Sequence, residues 1–492
     1  MAGVRARLGH IRSLGADAVW LSPVYRSPMA DFGYDVSDHL GVDPLFGSLG
    51  DLDALIDEAH GVGLRVVLDW VPNHTSDRHP WFVEARSSRA SAKRDWYIWA
   101  DGPPDRPPNN WKAAFTGVGG TAFPPAWTWD ERTAQWYLHL FLAEQPDLNW
   151  DNPEVVEAML ATLRFWLDRG ADGFRVDVVH ALAKPPGLGD LPPELAEIPI
   201  AALLDEPAVH PLIERIRETV KAVPAPERVL IGETVLPSVD QIAAYYGSPG
   251  RPELDLAFNF HPLRTRWDAS AWRRRIDEVL TAVAPRGWPA WVLSNHDNPR
   301  HRSRYGSLAR ARAAAVLLLA LPGTPFLYAG EELGLSDAEV PSGRRVDPGG
   351  RDGCRAPIPW DGGPLHGWAA EPWLPWPPEA AAAHAAAQEA DQGSTLNLYR
   401  RLIALRRGSP SLLSGRFEWL GSSREVLAWA RGEDRVAAVN FGAGEGWVEL
   451  PPGCWETAVS TTRPAGPAPT PTSAGGRLAL GADEGILLRR VD

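Results

Sequence analysis

Apolar positions recur along the chain in two alternating rhythms. Residues 1–14 place Val4, Leu8, Ile11 and Leu14 on one helical face. Gly15 stops that helix, and residues 16–21 read as a strand. The pattern returns at 49–59, where Leu52, Leu55, Ile56 and Ala59 share a face, before a strand at 64–71. Further short runs rich in apolar and β-branched residues predict strands at 173–179, 229–235, 256–260, 290–294 and 325–329. Amphipathic helices are expected between them at 153–169, 211–222, 270–283 and 308–321. Strands alternating with helices imply parallel βαβ units, and this many favour an α/β fold of (β/α)8 barrel type.

Two segments break the alternation. The barrel would occupy residues 1–73 and 153–412, beginning at its first helix. Residues 74–152 are aromatic and rich in Pro and Gly, with a hairpin pattern at 135–141, and are expected as a domain inserted after the barrel's third strand. Residues 332–393 are irregular, and a helix at 395–407 follows. Residues 413–492 then carry strand patterns at 417–420, 426–430 and 436–441, predicting a small antiparallel, β-sandwich-like domain.

Composition narrows the function classes. A net charge of −13 argues against nucleic acid and against anionic membrane surfaces as partners. No apolar run reaches the length of a membrane span. Cys354 and Cys454 make no metal-ligand spacing, and reduced thiols in a cytoplasmic protein are the simplest reading. The sequence sets no oligomeric state. Trp is unusually abundant at 23 residues, and Trp111, Trp127, Trp129 and Trp136 fall in one segment, which predicts a loop-built site wall.

The candidate chemistry lies at strand ends. Arg175 and Asp177 sit two apart, so on a strand both leave the same face. A guanidinium beside a carboxylate favours its charged form, which a carboxylate nucleophile needs. Alone, such a pair is more often structural. Three more strand ends, however, close with Asp69, Asn73 and His74, with Glu233, and with Asn295, His296 and Asp297. In a barrel these ends converge on one face. Neither a zinc motif, a Gly-rich phosphate loop nor a serine-nucleophile signature is present. Paired carboxylates without a metal signature suit glycoside cleavage, one as nucleophile and one as proton donor.

Asp69-Trp-Val-Pro-Asn-His74, Gly173-Phe-Arg-Val-Asp-Val-Val-His180, Gly232-Glu-Thr234 and Asn295-His-Asp297 resemble, in order, the four signature regions of the α-amylase family (glycoside hydrolase family thirteen). The segments 33–39, 145–150 and 323–334 are similar to its accessory regions. The Gln145–Trp150 form resembles the oligo-1,6-glucosidase and α-glucosidase branch. By that resemblance Asp177 is the nucleophile, Glu233 the acid/base and Asp297 the transition-state stabiliser. Arg175 orients Asp177; Asp69 completes the first signature; His74 and His296 bond sugar hydroxyls; Asp31 and Tyr34 hold the non-reducing glucose, and Arg351 is a further substrate contact. Val178, directly after the nucleophile, is associated in this branch with α-1,6 preference.

The expected substrate is a small oligosaccharide and the expected activity that of a retaining exo-acting α-glucosidase, on α-1,6 and/or α-1,4 links. A sucrose or trehalose isomerase, or a transglucosylase of the same family, is the alternative, because water and sugar hydroxyls compete for one glucosyl-enzyme intermediate. A non-enzymatic binding or scaffold protein is the third reading. Family members begin with a strand, often followed by an Asp-rich metal loop, before the helix in which Met1 lies. The first barrel strand is therefore expected to be missing, no metal site or cofactor is expected, and a structural Ca²⁺ is not carried over to this chain.

Overall fold

The computed structural model describes residues 1–201, 206–223, 226–462 and 476–492; residues 463–475 of the expected C-terminal domain lie outside the described residues. The chain divides into two compact units. The first comprises Met1–Arg12, Ala16–Phe258 and Asp347–Gly349, and the second Ser13–Gly15, Asn259–Val346 and Gly350–Asp492.

All seven strands expected from the apolar runs are present. Ala18–Leu21, Arg65–Trp70, Gly173–Val176, Val229–Thr234 and Leu256–Asn259 form one sheet in that order. The first four pair in parallel. Ala290–Val292 and Thr324–Phe326 make a second parallel pair. Helices such as Leu49–Gly61, Pro153–Asp168 and Val209–Lys221 join successive strands. Neighbours that follow chain order, each reached through a helix, are the βαβ succession of a (β/α) barrel. Strands covered on both faces bury every side chain, and Arg65–Trp70 is buried from Val66 onward.

Local sequence sets the element ends. Ser48 and Asp51 form a reciprocal capping box at the start of Leu49–Gly61. Asn152 caps Pro153–Asp168, whose first residue needs no N–H partner. Gly173 is demanded by close approach, because an added Cβ would stand 2.2 Å from the Val229 carbonyl oxygen. The helix expected over residues 1–14 is instead two, Ala2–Arg5 and Leu8–Leu14. The chain tightens between them, with the Arg7 N–H bonded to the Val4 carbonyl at 2.9 Å.

Residues 74–152, expected as an inserted domain, hold a three-stranded antiparallel sheet, with Gln135–Leu138 between Trp99–Ala100 and Trp127–Asp130. Three of the four indoles that the sequence suggested as a site wall are core residues instead, and Trp129 is partly buried against them. Trp111, Trp127 and Trp136 are buried with Ala126, Leu138 and Leu140, and two residues from beyond the insert, Val178 and Ala181, complete that cluster. Their N–H groups are satisfied internally, Trp111 by the Gly189 carbonyl at 2.9 Å and Trp127 by Asn109 Oδ1 at 2.8 Å. Large aromatic area in a small insert is used first to make a core.

In the second unit, Phe417–Trp419, Val426–Arg431, Arg435–Asn440, Gly485–Arg490 and Trp455–Ser460 form an antiparallel sheet in that order. Gly446–Glu449 and Arg477–Leu480 pair separately, and Val448 and Leu480 share one core with Val436, Ala438 and Leu488. The Leu308–Ala320 helix is buried from Ala313 to its end, as a stretch of helix apolar on all sides must be. Arg406 donates to the carbonyls of Leu319 and Leu321 at 2.8 and 2.9 Å, and Arg431 to that of Ala320 at 2.9 Å. Two cations thus occupy the negative end of that helix. Among the described residues, no helix is long and apolar enough to cross a membrane.

Candidate active site

Arg175, on the third strand and 1% exposed, is the hub of the first unit's polar residues. Its Nη1 lies 2.9 Å from Asp69 Oδ1 and 2.6 Å from Asp177 Oδ1. Its Nη2 lies 2.7 Å from Glu233 Oε2. The three carboxylates come from three adjacent parallel strands, which is why residues so distant in sequence meet. Asp69 Oδ2 also accepts from the Tyr34 hydroxyl at 2.9 Å and from Trp20 Nε1 at 3.2 Å. Glu233 Oε2 accepts in addition from the Val178 N–H at 2.9 Å.

A second layer is built on His74. Its Nε2 lies 3.1 Å from the Tyr34 carbonyl and 3.0 Å from Gln145 Nε2, and Gln145 donates to Asp31 Oδ2 at 3.2 Å. Phe141 packs against the ring with centroids 5.2 Å apart. Asn73 Nδ2 approaches His74 Nδ1 at 3.1 Å. Asp31, His74 and Gln145 are all buried, so side chains from the segment after the first strand, from the second strand end and from the insert close together.

The second unit holds its own cluster after the Ala290–Val292 strand. Asn295 Oδ1 accepts from the Asp297 N–H at 3.1 Å and fixes that turn. Asp297 Oδ1 lies 3.1 Å from Arg351 Nη1 and 3.3 Å from Arg355 Nη2, and its Oδ2 lies 3.2 Å from His296 Nε2. Arg355 Nε donates to the His296 carbonyl at 2.8 Å. Arg351, expected as a substrate contact, is thus an ion-pair partner of Asp297.

Burial dominates the electrostatics of the first unit. It raises the Asp177 carboxyl well above the usual carboxylate range; Arg175 opposes this, and Glu233 and Asp69 reinforce it. Burial likewise raises Asp69 to about 6 against the pull of Arg175 and of the Tyr34 hydrogen bond. The expectation that Arg175 keeps Asp177 ionised therefore captures one of several opposing effects. Three carboxylates share one guanidinium, so the cluster holds a proton readily and gains most from a positive charge placed against it. His74 and His180 are each lowered to about 4, first by burial, and stay neutral.

Every residue singled out from the sequence falls into one of these two clusters. Asp31, Tyr34, Asp69, His74, Arg175, Asp177, Val178 and Glu233 are connected in the first, and His296, Asp297 and Arg351 in the second. Asn73, named from the sequence at its strand end, joins the first cluster, whereas sequence reasoning missed Gln145, Arg355, Asp147 and Lys184 as members. Gln145 and Arg355 stood inside recognisable motifs; Lys184 stood in none. Among the described residues, no group of three His, Cys, Asp or Glu side chains is placed to hold a metal ion.

Known proteins resemble the chain over most of its length. Residues 1–415 match the family described as alpha amylase, catalytic domain. The chain is 43% identical over 477 residues to a protein named probable alpha-glucosidase from Rhizobium meliloti (strain 1021), covering 89% of this chain and 84% of that one. It is 34% identical over 464 residues to an oligo-1,6-glucosidase of Parageobacillus thermoglucosidasius, covering 85% and 81%. Among solved structures, the trehalulose synthase MutB from Pseudomonas mesoacidophila MX-45 is similar with a TM-score of 0.89 at 32% identity, covering 99% of this chain and 94% of that one. The α-glucosyl transfer enzyme XgtA is similar with a TM-score of 0.88 at 37% identity, covering 99% and 95%. The chain belongs to the α-amylase family of glycoside hydrolases.

Proposed function

We propose that the chain is a retaining, exo-acting α-glucosidase that removes terminal α-linked glucose from short oligosaccharides by double displacement. The observation that carries this reading is the single guanidinium holding Asp177 through Nη1 and Glu233 through Nη2. Retention needs the two carboxyls only roughly 5–5.5 Å apart, and a shared planar cation favours a short separation.

In this reading an Asp177 oxygen attacks the anomeric carbon while Glu233 gives its proton to the glycosidic oxygen, which leaves as the aglycone hydroxyl. Glu233, now a carboxylate, then takes a proton from water as that water displaces Asp177 and releases α-glucose. The negative excess around Arg175 supports the positive charge that develops on the ring. Resemblance gives Asp297 a stabilising role toward the same charge, and Arg351 and Arg355 are its ion-pair partners. His74, Asp31 and Tyr34 bind the terminal glucose, with Gln145 closing the set, which supports action at chain ends. His296 is assigned a second hydroxyl contact. Val178 supports a preference for α-1,6 links. The double displacement is complete with carboxylates, sugar and water, so no cofactor is proposed.

Turnover of p-nitrophenyl α-glucoside followed by NMR tests the reading. Initial release of α-glucose supports it, and initial β-glucose overturns the mechanism. The similarity to MutB and XgtA supports a second reading, transfer of the glucosyl group to a sugar hydroxyl. Isomerised disaccharide from sucrose, in place of free glucose, would favour it.

A further inference from the structure

Lys184 is a buried lysine, its side chain 6% exposed. Its Nζ contacts three acceptors: Asn73 Oδ1 at 2.7 Å, the Ala181 carbonyl at 2.6 Å and Asp147 Oδ2 at 2.9 Å. An ammonium has three protons and accepts nothing, so this set uses it fully. The same contacts determine which way the Asn73 amide faces. Its oxygen must meet the ammonium, and its nitrogen then donates to Asp147 Oδ2 at 3.1 Å and to His74 Nδ1 at 3.1 Å. A ring nitrogen that accepts carries no proton, so His74 is protonated at Nε2, the nitrogen 3.1 Å from the Tyr34 carbonyl.

A competing contact gives this arrangement its meaning. Gln145 Nε2 lies 3.0 Å from His74 Nε2, and Gln145 is held in that orientation by the Leu142 N–H on its oxygen at 3.1 Å and by Asp31. An amide N–H facing Nε2 favours the opposite tautomer, with the proton on Nδ1. The lysine-anchored Asn73 decides between them.

We propose that Lys184 is a positioning residue that fixes the Asn73 amide and thereby the tautomer with which His74 meets a substrate hydroxyl. Its effect on turnover rests on the glucosidase reading; its effect on the ring does not. The groups facing the ring are Asn73, Gln145, Phe141 and the Tyr34 carbonyl, with Asp147, Lys184 and His39 as titratable neighbours. Asp147 pulls His74 toward its charged form and Lys184 opposes it, so losing the lysine alone raises the pH at which His74 protonates.

Histidine-selective ¹⁵N NMR, with His74 identified by its loss in H74N, reads the tautomer directly. The expected result is Nε2–H in the wild type and in D147N, where Lys184 alone orders the amide; in K184M the Asp147 carboxylate still accepts from Asn73 and opposes a flip. The double variant K184M/D147N leaves the amide unfixed, so the tautomer shifts toward Nδ1–H there, while the His74 protonation raised in K184M reverts. kcat/KM on p-nitrophenyl α-glucoside falls about 10- to 100-fold in the double variant. A lysine that served only folding would lower thermal stability and leave the ring unchanged. Nδ1–H in the wild type overturns the proposal, as does an unchanged tautomer in the double variant, and both tests stand if K184M does not fold. If the wild type turns over no glucoside, the glucosidase reading fails while the NMR still decides the role of Lys184.

Discussion

The Val178 N–H donates to Glu233 Oε2 at 2.9 Å, and Val178 holds that aim in a left-handed turn with φ 34° and ψ 48°. A β-branched residue enters that region at a cost of about 1–3 kcal/mol. Val178 is 5% exposed and packs with Trp127, Leu138 and Leu140 of the insert, so buried apolar area offsets the strain. In the proposed mechanism one residue thus orients the acid/base through its backbone and shapes linkage preference through its side chain.

Val178 therefore sets a ratio that can be measured. The wild type is expected to cleave isomaltose at least as efficiently as maltose. Val178→Thr keeps the N–H donor but changes the apolar surface, and is expected to swing the kcat/KM ratio toward maltose by about tenfold, the scale of one altered apolar contact. Parallel kinetics on the two disaccharides decide it, and an unmoved ratio would remove Val178 from the specificity role.

Asp177→Asn keeps the shape of the nucleophile and discards its charge. Turnover is expected to fall by a factor on the order of 10⁴ or more, with the far-ultraviolet circular dichroism unchanged. Substantial residual activity, in protein shown by mass spectrometry not to have deamidated, would assign the nucleophile elsewhere.

Gly173→Ala tests the close approach of two strands. The new methyl has no space beside the Val229 carbonyl, so unfolding free energy is expected to drop by about 1–3 kcal/mol. Arg175 is two residues along the same strand, and activity should fall with it. Urea denaturation that matched the wild type would contradict the packing described.

Glu331, buried in the second unit, makes stability depend on pH in an unusual direction. Burial raises its carboxyl to about 8, against the pull of the Tyr399 hydroxyl at 3.1 Å. The folded chain therefore keeps a proton that the unfolded chain releases above the ordinary carboxylate range. Stability contributed by this group is present below about pH 4.5 and declines as pH rises toward 8. Glu331→Gln abolishes that decline, so the variant should gain on the wild type from pH 5 to 8. Thermal melts across that range check it, and parallel curves would refute the assignment.

Much of this was legible beforehand, for reasons that particular residues show. Asp69, Arg175 and Glu233 announce themselves because a charge at the end of a buried apolar strand needs a partner. Asn73 and Gln145 were visible only as members of motifs; what a neutral amide does depends on which way it is turned, and the sequence does not carry that. Lys184 meets Asn73 across 111 positions, a relationship that no spacing encodes. The insert's tryptophans misled because an indole suits a sugar face and a core alike, and only burial tells them apart. The break between Leu8–Leu14 and the helix before it left no mark, since Ala6 and Arg7 are compatible with a continuous helix.

Val178 and Ala181 are built into the core of residues 74–152, with Leu188, Leu191 and Ile200 packed against it. The proposed nucleophile's immediate successor is thus seated on a module whose sequence is free to drift as long as its indoles stay packed. Substitutions at Trp127, Leu138 or Leu140, none of which faces sugar in the proposed reading, would tilt the seat of Val178 and with it the Glu233 carboxyl. Descendants of such a chain could change which linkage they open while every signature motif stays letter for letter the same.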